Sequence, residues 1–136
     1  MQKLFFAFIF SFLIPLMATG NTLPAAEDIN NLAKTAKETV DTFMRDSFAW
    51  RMEYEYSGKF INKDSREKLR ELAQKAGDKL QGIIDSQQQL KGRIEDYTGD
   101  DWEERYGSTG LWRTLSCSFY AAILNKSRIG FYLALA

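Results

Sequence analysis

Histidine is absent from the 136 residues, and cysteine occurs once. Without an imidazole there is no Ser-His or Cys-His nucleophile pair, and nearly every zinc or haem site is excluded. Two prolines and nine glycines are too few for a collagen-like or low-complexity chain. Charge of either sign is not in excess: 18 Lys and Arg balance 18 Asp and Glu. Affinity for nucleic acid comes mostly from phosphates neutralised by a basic surface, so no nucleic-acid partner is expected. No metal or cofactor is expected either. Apolar residues make up 45% of the chain, too many for a disordered segment, and the length suits one domain.

Residues 1–20 have the parts of a secretory signal peptide. Lys3 is a short basic start, Leu4 to Ile14 is an apolar run, and Pro15 breaks it. Ala18 and Gly20 are the small residues before a cut that leaves residues 21–136. The apolar run falls short of the ~20 residues that span a bilayer, and no cysteine follows it to carry a lipid. The expected location is periplasmic or extracellular. Only Lys3 is lost in the cut, so residues 21–136 keep 17 bases and 18 acids. Cys117 has no partner in its own chain, so apolar packing alone must hold the domain. Its setting in Leu115–Phe119 leaves two readings, a buried inert thiol or one that bridges two chains.

From Glu27 onward small or apolar residues recur at Ile29, Ala33, Ala36, Val40, Phe43, Ser47, Trp50 and Tyr54. Steps of four and three mark the seam of a packed helix, and Leu32, Met44, Phe48 and Met52 widen it. Asp41 and Arg45 are a supporting pair one turn apart. Residues 49–56 (AWRMEYEY) also alternate like a strand. No second clear strand exists to pair with them, which favours the helix. Ser57-Gly58-Lys59 is a turn.

Asp64 with Glu67 reads as a capping box opening a second helix. The seam of this helix is Leu69, Ala73, Ala76, Leu80, Ile83, Gln87, Leu90, Ile94 and Tyr97. Gly77, after Ala73 and Ala76, suggests close approach of two backbones. Gly99 suits the left-handed residue that ends a helix. Asp100 with Glu103 opens a short third segment, broken at 107–110. Leu111 to Leu124 is apolar and helical and stops at Asn125. The fold expected is all-α, a long antiparallel helical hairpin (27–57 and 64–98) carrying a shorter C-terminal segment. That segment comprises a short helix at 100–106, a helix at 111–125 and an apolar tail at 128–136. The tail has no polar stop, so either it lies on the hairpin or the chain is a piece of a longer one.

Three constellations bear on function. Asp96, Asp100, Asp101, Glu103 and Glu104 form the densest acidic cluster, but its glycine is out of place for a calcium loop. Helix starts facing solvent explain the acids. Glu53 or Glu55, near Trp50 and Tyr54, are the candidates for carboxylate chemistry on a glycan. The third is a split of charge. Residues 105–136 hold Arg105, Arg113, Lys126 and Arg128 and no acid, whereas residues 21–104 hold all 18 acids and 13 bases. A cationic apolar stretch packs on the hairpin, meets a partner, or touches an anionic membrane.

Ser86-Gln-Gln-Gln-Leu-Lys-Gly-Arg-Ile-Glu-Asp-Tyr-Thr-Gly99 resembles the Gln-rich helix ending in Thr-Gly of minor pilus components of bacterial type IV secretion systems. That resemblance implies an exported helical protein. The long helix before the segment, and a mature start without Pro-Val, depart from the family.

The function expected is a non-catalytic interaction or assembly module of the cell envelope, not an enzyme. The alternatives are a secreted membrane-active or toxin-like protein and a carboxylate-based glycan enzyme. A two-helix hairpin offers one further groove, enough for about one helix, so 111–124 fills it and the tail is left uncovered. Arg128, Ile129, Phe131, Tyr132, Leu133 and Leu135 are therefore the expected surface for a protein partner or a second copy, with a membrane surface as the other occupant.

Overall fold

The structure is a computed structural model, and it describes residues 23–60 and 62–136. The expected signal peptide at 1–20 lies outside the described residues. The chain is all-α, and no strand occurs among the described residues. α1 is Ala26–Asp46, α2 Phe48–Ser57, α3 Lys63–Asp96 and α4 Leu111–Leu135, with one π-helical turn, Glu103–Gly107, before α4. α1, α3 and α4 each pack on the other two.

The first expected helix, 27–57, is two helices joined at Ser47. The buried Ser47 hydroxyl donates to the Phe43 carbonyl oxygen at 2.5 Å, a back-bond one turn away that bends helices. Residues 49–56 are helical, so their alternation is incidental. Arg51, which a strand would have placed in solvent, is buried instead. Gly58, at φ 71°, closes α2 in the left-handed conformation that glycine adopts without steric cost.

Asn62, not Asp64, caps α3: its side-chain oxygen accepts the Ser65 N–H at 2.8 Å. Starting two residues earlier puts Asp64 inside the first turn and pairs Glu67 with Lys63 at 3.7 Å. The seam of α3 matches the expected one from Leu69 to Ile94. In α1 the buried positions are Ile29, Leu32, Ala36, Thr39 and Phe43, rotated from the expected set. A helix packed against two neighbours centres its apolar stripe between them, so Leu32 and Thr39 go in while Ala33 and Val40 are half-buried.

Two glycine expectations change. A Cβ at Gly77 would meet nothing within 4 Å, so no backbone approaches it closely. α3 ends at Asp96 with an extended Tyr97, and Gly99 makes room for the Tyr97 ring, which any Cβ there would strike.

The largest difference is α4. It runs unbroken through Asn125 to Leu135, because neither proline nor a left-handed residue follows to stop it. Leu115, Ala122 and Ile129 are buried at intervals of seven, with Tyr132 one turn further. The groove that receives 111–124 thus continues along α3 and receives the tail as well. Three contacts show the register: Gln87 with Ser118, Lys126 with Gln81, and Arg70 with the Ala136 carbonyl. As α4 advances α3 recedes, so the two are antiparallel. Phe43 meets Tyr132 at 6.1 Å, which sets α4 parallel to α1.

Candidate functional site

At the end of the bundle where α3 gives way to α4, aromatic rings replace aliphatic packing. Trp102 lies between Tyr106 and Trp112, with centroids 6.1 and 6.0 Å away. Its indole N–H donates to the Ile94 carbonyl at 3.0 Å. Tyr106 is fully buried, and its hydroxyl donates to the Pro24 carbonyl at 3.0 Å, tying the chain before α1 to the turn before α4. The acidic cluster resolves into a local clasp. Asp101 accepts from Arg105 at 2.5 Å and from the Tyr97 hydroxyl. The Arg105 hydrogen bond, then that of Tyr97, holds the Asp101 carboxyl below its ordinary value. Tyr97 is raised by the hydrogen bond to Asp101 and Tyr106 by burial. Among the described residues no group of acids is arranged to hold a metal ion.

Two cations are drawn inward. Lys91 is 14% exposed, with its ammonium 5.0–5.3 Å from the ring centres of Trp112, Phe119 and Tyr120 and 3.8 Å from Glu95. Arg51 is 5% exposed. It donates to the Ser47 hydroxyl at 2.9 Å and the Met44 carbonyl at 2.8 Å, and it lies over the Phe48 and Tyr132 rings. Each cation staples helices together.

Among the described residues, neither glycan-enzyme candidate lines the groove between α3 and α4. Glu55 is exposed and accepts the Tyr132 hydroxyl at 3.3 Å, and Glu53 is half-buried with a partner of its own. A shallow groove of about 370 Å³ lies between α3 and α4, lined by Gln81, Ile84, Ile123, Lys126, Ser127 and Gly130, none of them acidic.

The remaining feature is the outer face of α4. At about 100° per residue, Arg113, Cys117, Tyr120, Leu124, Arg128 and Phe131 share one strip, opposite Leu115, Ala122 and Ile129. All six are exposed. Leu124 is 71%, Phe131 58% and Tyr120 57% exposed, and Ile123 adds to the apolar edge. Neither Arg113 nor Arg128 has an ion pair among the described residues.

The expected surface residues therefore divide. Arg128 and Phe131 are outside, Ile129 and Tyr132 are core, and Leu133 and Leu135 are half-buried against it. The expectation that the whole tail lacks cover is corrected for these four. Cys117 is exposed rather than buried, because α4 turns Leu115 and Ala122 inward and leaves Cys117 on the far side. Sequence reasoning missed Tyr120 and Leu124. The interval of seven through Cys117, Leu124 and Phe131 was the available signal, masked by an equally regular interval through Leu115, Ala122 and Ile129. No family model, curated protein or solved structure matches the chain.

Proposed function

We propose that the protein is an exported, non-catalytic interaction module of the cell envelope that docks through the outer face of α4. The observation that carries this reading is the exposed strip of Tyr120, Leu124 and Phe131, with Arg113 and Arg128 along it and no acid in α4. Phe48 and Tyr56 on α2 are exposed too, but among the described residues only α4 aligns several large apolar side chains on one helix face, and such a face marks a surface that is covered in use. Inside the bundle Arg51, Gln87 and Tyr106 bond to neighbouring helices or turns, while the Gln87 side-chain oxygen and the Ser116 hydroxyl are buried without a partner among the described residues.

Photo-crosslinking in the native cell tests it. A crosslinker at Leu124 or Phe131 should capture a neighbour, protein or lipid, identified by mass spectrometry, whereas one at Lys34, on the exposed side of α1, should not. Equal or absent crosslinking at all three positions refutes docking through α4. Export is tested separately by N-terminal sequencing, which should find a start near Asn21.

A further inference from the structure

We infer that the outer face of α4 docks on an anionic lipid bilayer, lying in its surface with Tyr120, Leu124 and Phe131 in the interfacial layer and Arg113 and Arg128 on the lipid headgroups. This deepens the docking reading above and rests on it. Three observations select lipid over a second copy or another protein.

The first is charge. The face carries arginines with no carboxylate on the same helix to answer them. A twofold pairing of α4 with α4 of another copy would place those cations in one seam, unpaired, which opposes association. Glu55 does reach α4 at the Tyr132 hydroxyl, but Tyr132 points into the core and not along the strip.

The second is area. From Arg113 to Phe131 the strip is ~27 Å long and about one helix, ~10 Å, wide. A strip one helix wide is convex, so a protein partner must supply a complementary groove to reach the ~800 Å² of accessible surface that each side contributes to a stable interface. A bilayer sets no such threshold, because each inserted side chain and each arginine adds its own share to partitioning.

The third is the distribution of charge over the whole bundle. None of the 18 acids is on α4, and 12 of them lie on α1 and α3; the others are Glu53 and Glu55 on α2 and the four at 100–104 in the turn before α4. With α4 facing the lipid, the outer sides of α1 and α3 stand about one helix diameter, ~10 Å, further back. That is about one Debye length at physiological salt, so their repulsion is screened while the arginines stay in contact. The contact is with the surface: among the described residues no helix is long and apolar enough to cross a membrane.

Cys117 is the one cysteine and sits on the strip, so it takes an environment-sensitive fluorophore at the place of interest. The full chain, so labelled, is titrated with vesicles of phosphatidylcholine containing a minority of phosphatidylglycerol, and with pure phosphatidylcholine vesicles. Reading at Cys117 separates α4 docking from any partitioning by the apolar run at 4–14. The expected result is a blue shift with the anionic vesicles only, weakened by salt. Arg113→Gln with Arg128→Gln should lower the apparent partition constant about 25-fold, fivefold for each charge. Leu124→Asp should lower it about tenfold or more. Unchanged circular dichroism keeps these variants comparable, since all three side chains are exposed. Equal shifts on both vesicle types, or a shift untouched by the arginine changes, overturns the proposal. A shift that instead follows protein concentration without lipid, and that Phe131→Asp abolishes, overturns it in favour of a second copy and leaves the docking reading standing. No shift with lipid or concentration, while Leu124 crosslinks to a protein in the cell, overturns it in favour of a protein partner. Loss of the crosslink as well refutes the docking reading itself.

Discussion

α4 has two faces that look alike in composition and differ in every consequence. Inward, Leu115, Ala122, Ile129 and Tyr132 are buried; outward, Tyr120, Leu124 and Phe131 are not. Both sets recur at helical steps of three, four or seven with similar side chains. What separates them is outside the helix: α1 and α3 meet one side and solvent meets the other. Apolar periodicity marks a face that will be covered, but the rest of the chain decides which face the monomer covers itself.

Cavity formation breaks the symmetry most sharply. Ile129→Ala should cost about 2–5 kcal/mol, because the surrounding helices only partly collapse into the space. Leu124→Ala should fall within about 0.5 kcal/mol of the parent, as exposed positions do. Denaturant melts of the two variants side by side check the pair, and similar losses for both would show that Leu124 is covered.

Glycine sharpens the same contrast from the other direction. Cβ atoms at Gly82, Gly92 and Gly130 would meet nothing within 4 Å, although all three lie inside helices. Replacing each by Ala should stabilise by about 1 kcal/mol through backbone propensity alone, read as a raised unfolding midpoint. A loss at Gly130 would reveal an occupant of the adjoining groove. The aromatic end of the bundle extends the inside–outside logic to a hydroxyl. Tyr106→Phe, which removes the donor to the Pro24 carbonyl, should cost about 0.5–1.5 kcal/mol, measured in the same way.

The smallest effect is of pH. Tyr97 and Tyr106 are raised above 10 in the folded chain, so their contribution is complete below their unfolded value near 10 and is lost as pH rises through the folded ones. Asp101 is depressed, so its contribution is complete above its unfolded value near 4 and is lost as pH falls through the folded one. Melting temperature should be flat with respect to these groups between about pH 5 and 9. Tyr106→Phe should lessen the alkaline fall.

The helices were legible where periodicity was long and unrivalled, and α3 is the clearest case, eight successive seam positions from Leu69 to Ile94. The break at Ser47 was not, because it depends on a hydroxyl finding the Phe43 carbonyl, and many helical serines point elsewhere. The continuity of α4 was missed for a related reason. Asn125 and a run of polar neighbours resemble a stop, and only the length of α3 beside them keeps the helix going. For the candidate surface, charge segregation was readable at once, since residues 105–136 lack any acid. Which apolar residues share the exposed side was not, because that needs the direction of α1 and α3 as seen from α4.

The register of α4 on α3 has a mechanical consequence. Gln87 with Ser118, Lys126 with Gln81 and Arg70 with the Ala136 carbonyl engage together at one offset. Sliding α4 by a single turn disengages all three, and sets the buried Gln87 amide against a different side chain. The helix therefore has one resting notch along its track. A pull on the outer strip is passed as a load to the whole bundle, whose first response is to turn as a body rather than to let one helix slip.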